Sequence, residues 1–215
     1  MNNVVLVTGF EPFGGEVINP SWEIASALPS TILRYRIERI RVPTEFGRSI
    51  HVMTRALDQI QPAIVLSLGQ AGGRSRLGVE RIAINCDDAS IADNAGKQPV
   101  DKAVAVTGPA AYFSTLPIKA MVLKMAEKNI PAEVSNSAGT FVCNHLMFGV
   151  LHYLASNSSK TRAGFMHVPY LPSQVLNLVN TPSMSLADMI AGVEIAIKAA
   201  IKYRIDIKLA GGAFN

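Results

Sequence analysis

Two apolar runs, residues 4–7 without interruption and 63–68 with Ser67 as the one polar residue, are each closed by a glycine, Gly9 or Gly69. A strand with one wet face alternates apolar and polar side chains. A run with no alternation needs cover on both faces, which is the condition of a parallel strand inside an α/β sheet. Between and after these runs the spacing turns helical. Trp22, Ile24, Ala25 and Leu28 follow Asn19-Pro20-Ser21, and Ile50, Met53, Leu57 and Ile60 follow Pro43 in a helix through about Gln59. Further helices are predicted from Pro117 to about Lys128, from the region of Cys143 past Leu154, and from Met189 to about Lys202 behind a Ser185 cap. Residues 35–42 alternate Tyr or Ile with Arg or Glu and read as a strand near a sheet edge. Residues 79–86, 131–135 and 162–168 read as strands, and the 93–113 region as long irregular connections. This order predicts a single α/β domain, 1–215, with a twisted, mainly parallel sheet and helices on both faces.

A chain of 215 residues, 49% hydrophobic and 17% charged, is long enough to bury a sizeable core and does not have a disordered composition. Its net charge of +4 is spread without a Lys/Arg block, which argues against a nucleic-acid partner. The two cysteines, Cys86 and Cys143, form neither a disulfide framework nor a Cys-x-x-Cys zinc pair, and no metal or cofactor is expected. There is no basic leader and no apolar run of about 20 residues, so a membrane is not expected and a reducing, cytoplasmic setting is. Gly69-Gln70-Ala71-Gly72-Gly73-Arg74 fits neither the dinucleotide fingerprint nor the P-loop spacing.

The chemistry is concentrated in residues 137–149, where small residues lead into a helix with Cys143 in its first turn. Backbone N–H groups there lack intrahelical partners and carry partial positive charge. A thiolate at such a position is stabilised, so the thiol pKa is expected to fall, and the same N–H groups suit an oxyanion. The plainer alternative is a small buried hydrophobe. Of the four histidines, His145 follows Cys143 by two residues, roughly 200° around the helix, and leaves from the other side. His152 lies further along the same helix, and His51 sits among exposed positions. His167 ends a strand, on the ligand-binding edge of an open sheet. Strand, Cys143 helix and His167 strand read as one right-handed crossover with neighbouring parallel strands. In the 79–86 strand, Glu80 shares a face with Ile82, Ile84 and Cys86. A carboxylate there needs a partner, either a structural Arg or an imidazole that it orients. The same pattern makes Cys86 a packed, inert thiol, with Asp87 and Asp88 solvated beyond it. Phe10 and Phe13 sit in a glycine-rich loop and either pack under the next helix or wall a pocket; Asn19 suits a helix N-cap.

These segments together resemble pyroglutamyl peptidase I, the pyrrolidone-carboxylate peptidase family of cysteine exopeptidases. The resemblance is carried by Gly9-Phe10-Glu11-Pro12-Phe13-Gly14-Gly15, Asn19-Pro20-Ser21, the 69–74 glycine turn, Glu80-Arg81 with Ala83-Ile84-Asn85, Asp93-Asn94, Gly139-Thr140-Phe141-Val142-Cys143-Asn144 and His167-Val168-Pro169-Tyr170. It implies Cys143 as nucleophile, His167 as acid/base and Glu80 as the orienting carboxylate. It implies peptides with an N-terminal pyroglutamate as substrates, with Phe10, Phe13, Phe141 and Val142 walling a slot for the lactam ring and Thr44 and Ile91 nearby. Asn19 and the backbone of Gln70 would hold the lactam's polar atoms, and a homotetramer is the implied assembly. The family commonly has Arg where this chain has Ser90, and often Pro at Ala92, which leaves Arg74 and Arg81 as substitute cations. Two other readings stay open: a nucleoside- or phosphate-ester enzyme using the glycine turn and Arg74 on an anion, and a pyroglutamyl-binding homologue that has lost turnover.

Overall fold

The computed structural model describes residues 2–212. Its main sheet has seven strands: β1 (Asn2–Phe10), β2 (Thr31–Ile32), β3 (Tyr35–Val42), β4 (Pro62–Gln70), β5 (Leu77–Glu80), β8 (Ala132–Ser135) and β9 (Arg162–Val168). They lie in the order β2-β3-β1-β4-β9-β5-β8. The central pairs β3·β1, β1·β4 and β4·β9 are parallel, as is β5·β8, whereas β5·β9 and β2·β3 are antiparallel. A separate two-stranded ribbon joins β6 (Ile82–Ile84) to β7 (Ala111–Phe113).

The apolar runs are covered on both faces. Val5, Val7, Ile64, Leu66 and Leu68 pack on one side with α1 (Pro20–Ala27), α3 (Ile118–Ala126) and α5 (Leu186–Lys202). Leu6, Val65 and Phe165 face the other side, under α2 (Arg48–Ile60) and α4 (Val142–Ser156). Alternate residues of one strand thus feed two cores, so neither register nor face is free to slip. Helix α4 is buried from Asn144 through Leu151 because sheet, α2 and the β6·β7 ribbon enclose it. Truncating fully buried Phe148 or Phe165 to Ala is expected to cost about 3–5 kcal/mol. Caps match the sequence reading: the Asn19 side chain accepts from Ser21 N, and Ser185 accepts from Asp188 N. Asp206, far along the chain, caps α3 through Lys119 N and Ala120 N.

Four expectations need correction. The 79–86 strand is broken at Arg81, whose N–H donates to Ser135 O while its own carbonyl accepts from Ser114 N. That residue changes partners from β8 to β7, so Ile82 and Ile84 leave the face of Glu80 for the second ribbon. Cys86 is accordingly half-buried in a loop rather than packed in a core. The carboxylate of Asp87 is buried, while Asp88 alone is solvated. Finally, β8 and β9 are not neighbours: β5 runs between them, antiparallel to β9, so the α4 connection is not a parallel crossover. No helix among the described residues is long and apolar enough to cross a membrane.

Candidate active site

The strands β1, β4 and β9 run parallel and end on one edge, at Phe10, Gln70 and Val168. His167 stands there between two glycines: Gly69 on β4 and Gly78 on β5 are its cross-strand partners. Both must lack a side chain. A Cβ on Gly69 would lie 2.7 Å from Cys143 Sγ and 2.7 Å from the Phe165 ring, and one on Gly78 would lie 2.3 Å from Arg74 Nη1. The first glycine opens room for the thiol beside the imidazole, the second for a guanidinium behind it.

Inserting β5 beside β9 also puts Glu80 on the His167 face, two residues beyond Gly78. Glu80 is 0% exposed; its Oε1 lies 2.7 Å from His167 Nδ1 and accepts from Arg74 Nη1 at 2.9 Å. Glu80 Oε1 already accepts from Arg74 and accepts again from the imidazole, with Nδ1 donating. The other ring nitrogen, Nε2, is left for whatever enters the cavity. Phe165 packs its ring 4.9 Å from the imidazole and fixes its plane.

Cys143 is the second residue of α4, which Phe141 enters without a side-chain cap. The next residue, Asn144, is buried and spends its amide on the β6 edge: it donates to Ile84 O and Cys86 O and accepts from Ile84 N. This fixes the helix start beside the ribbon. Cys143 keeps part of its surface open, yet its sulfur is densely surrounded, and burial pushes the thiol up to about 12. Glu80 adds to the rise and Arg74 opposes it. The fall expected from the helix start is therefore outweighed by desolvation, and the resting group is a thiol. Cys86 is also held above its usual range, by desolvation and then by Asp101, Asp88 and Asp87.

Cys143 and His167 open into one cavity of about 130 Å³, lined also by Phe10, Phe13, Asn19, Thr44, Gln70 and Phe141. Asn19 Nδ2 donates to Glu11 O, and Thr44 Oγ1 donates to the same carbonyl. The Gln70 side chain accepts from Gln174 Nε2. Val142 and Ile91 are not brought in: Val142 is fully buried in the α4 core and Ile91 is 46% exposed away from the lining. Ser90 is exposed too. Arg81 turns to Asn136 and Gly211 O, and Arg74 Nη1 pairs with Glu80. Among the described residues no group of three or more His, Cys, Asp or Glu is arranged to hold a metal.

Sequence reasoning missed the ring of Phe46, which stands edge-on to Phe141 with centroids 5.4 Å apart, and Asp93, whose Oδ2 accepts from Phe46 N. It also passed over His145, whose Nδ1 lies 2.8 Å from Asp87 Oδ2. The signal for this second pair was present only as a polar residue among the buried positions of α4.

The pyroglutamyl peptidase family model matches residues 3–203. A pyrrolidone-carboxylate peptidase of Bacillus cereus is 50% identical over 210 residues, 97% of this chain and 98% of that one. Another, from Clostridium perfringens, is 51% identical over 209 residues, again 97% and 98%. The crystal structure of pyroglutamyl peptidase I from Bacillus amyloliquefaciens matches with a TM-score of 0.94 at 43% identity, covering 98% of this chain and 100% of that chain. The pyrrolidone carboxyl peptidase of Thermococcus litoralis gives 0.92 at 41%, covering 96% and 99%. Agreement at that level in sequence and in backbone, over nearly the whole length, makes this chain a member of the pyroglutamyl peptidase family.

Proposed function

We propose that the protein is a cysteine exopeptidase that removes an N-terminal pyroglutamyl residue from peptides, with Cys143 as nucleophile, His167 as acid/base and Glu80 as the carboxylate that orients it. The observation that carries this reading is the shared cavity, in which a thiol and an imidazole with a free Nε2 meet beneath aromatic walls. A volume of about 130 Å³ suits one small neutral ring. Phe10, Phe13 and Phe141 supply apolar cover, and the second N–H of the Asn19 amide and the Gln70 backbone supply polar contacts. A free N-terminal Glu would bring a charged amine into this slot with no carboxylate to receive it.

Because the resting thiol is protonated, activation is by general base rather than by a preformed thiolate. The Sγ proton passes to His167 Nε2 as sulfur bonds to the pyroglutamyl carbonyl carbon. The oxyanion is met by first-turn N–H groups of α4. As the tetrahedral intermediate collapses, the C–N bond breaks and His167 returns its proton to the leaving amine. Water, deprotonated by His167, then attacks the thioester; the C–S bond breaks, sulfur regains the proton and pyroglutamate leaves. Glu80, held in place by Arg74, orients the imidazole and stabilises the imidazolium at both stages.

Release of fluorophore from a pyroglutamyl amide tests the reading. Wild type is expected to turn over and Cys143→Ser to lose at least about 10³-fold in kcat, the scale of losing an activated nucleophile. Equal rates would remove Cys143 from its role. Binding of the amide without release by wild type would instead favour a pyroglutamyl-binding homologue. The homotetramer implied by the resemblance and the cytoplasmic setting expected from the sequence belong to the same proposal, and size-exclusion chromatography with light scattering tests the first.

A further inference from the structure

Two residues beyond Cys143, α4 carries a second buried imidazole–carboxylate pair that the reaction does not use. His145 is 5% exposed and Asp87 also 5%. The Gly47 N–H donates to His145 Nε2 at 2.8 Å, so that nitrogen bears no proton; Nδ1 bears it and donates to Asp87 Oδ2 at 2.8 Å. The ring is thus a relay between a buried carboxylate and one backbone amide in the loop that leads into α2.

That amide is well placed to matter. Gly47, with φ of 80°, is the N-cap of α2 and offers it no side-chain cap; its own N–H points away from the helix to His145. The residue before it, Phe46, packs edge-on against His145 at 5.3 Å and against Phe141 at 5.4 Å, and Phe141 in turn meets Phe13 at 5.9 Å. Thr44, in the same loop, lines the cavity. Asp93 holds Phe46 N, and Lys97 Nζ donates to Phe46 O. The loop is pinned from two sides: by Asp93 and Lys97 from one segment, and by His145 from the helix that carries the thiol.

We propose that His145, oriented by Asp87, is a positioning residue that fixes the 44–47 loop, and with it the Thr44 and Phe46–Phe141 wall, against the acyl pocket. The inference rests on reading that cavity as the pyroglutamyl slot. His145 touches neither substrate nor reacting atoms; it ties the wall to α4, so the wall is already in place when the ring binds. A histidine serving only to fill the core would need no acceptor nitrogen aimed at this loop.

Steady-state kinetics on a pyroglutamyl amide separate the roles. His145→Met keeps the bulk but loses both hydrogen bonds; KM should rise about tenfold with kcat within about twofold, the expectation for losing a contact that organises binding alone. His145→Gln can accept from Gly47 and donate to Asp87, and should return KM to near the wild-type value. Unchanged KM in His145→Met, equal loss of kcat and kcat/KM, or no rescue by Gln overturns the proposal. Nitrogen-15 NMR of the wild-type imidazoles needs no variant to fold: a proton on Nδ1 of His145 supports the relay, and one on Nε2 overturns it. Wild type that releases no fluorophore sinks the peptidase reading instead, and the tautomer measurement still decides the clamp.

Discussion

His167 with Glu80 and His145 with Asp87 are built from the same parts. Each is a buried imidazole whose Nδ1 lies within hydrogen-bond distance of a buried carboxylate, and each lies close to the start of α4. They differ in the second nitrogen and in the second partner of the acid. His167 leaves Nε2 open to a cavity shared with a thiol, and Arg74 stands behind its carboxylate. His145 has Nε2 closed by the Gly47 amide, and the aromatic edge of Phe46 covers the ring. On the roles proposed for the two pairs, a His–acid pair is no signature of catalysis by itself; what the far nitrogen meets separates moving a proton from holding a loop.

The contrast is most simply broken by substituting each imidazole. His167→Ala should lower kcat by about 10²–10⁴-fold, the usual worth of a positioned acid/base, while the His145 variants move KM. A comparable loss of kcat at both positions, measured on the same pyroglutamyl amide, would erase the distinction.

The glycine beside His167 offers the next largest effect. Gly69→Ala forces its new methyl toward Cys143 Sγ and the Phe165 ring, so the melting temperature should fall by the equivalent of about 1–3 kcal/mol, with a loss of kcat from displaced sulfur. Calorimetry and kinetics together check this; an alanine variant with wild-type stability and rate would show that the sulfur has room the geometry denies.

A smaller effect follows from thiol ionisation. The folded thiol keeps its proton to about 12, against 9.0 for an unperturbed cysteine. In the free enzyme, the rate of Cys143 alkylation by iodoacetamide should therefore keep climbing above pH 9. Arg74→Met should push the midpoint higher still, because the guanidinium opposes the rise. The linkage has a definite sign: the contribution to stability is fully present below pH 9 and is lost as pH rises toward 12, so Cys143→Ala should be less alkali-sensitive than wild type. An alkylation midpoint well below 9 would mean that the helix start outweighs burial.

How far the sequence reveals this site depends on the range of the forces involved. The buried runs that became β1 and β4, the α4 register and the strand-end position of His167 were legible because local periodicity encodes them. The exchange of strands at Arg81 was not, since the alternation in 79–86 continues across the break and only partners from Ser135 and Ser114 impose it. The position of β5 between β8 and β9 is likewise a non-local choice, yet it is what puts Glu80 on the face of His167. Asp87 looked solvated because nothing adjacent in sequence covers it; His145 does, from 58 residues away. The sequence left Phe10 and Phe13 open between packing and a pocket wall, and both line the cavity, whereas two side chains implied by resemblance, Val142 and Ile91, are buried in the core and exposed on the surface.

The most direct test of the proposed thiol chemistry is mass spectrometry of enzyme acid-quenched during turnover of a pyroglutamyl ester. One pyroglutamyl acyl group should be found on the peptide containing Cys143, and none on the peptide containing Cys86. Sustained turnover with no acyl group on Cys143, or with the group on another residue, would contradict it.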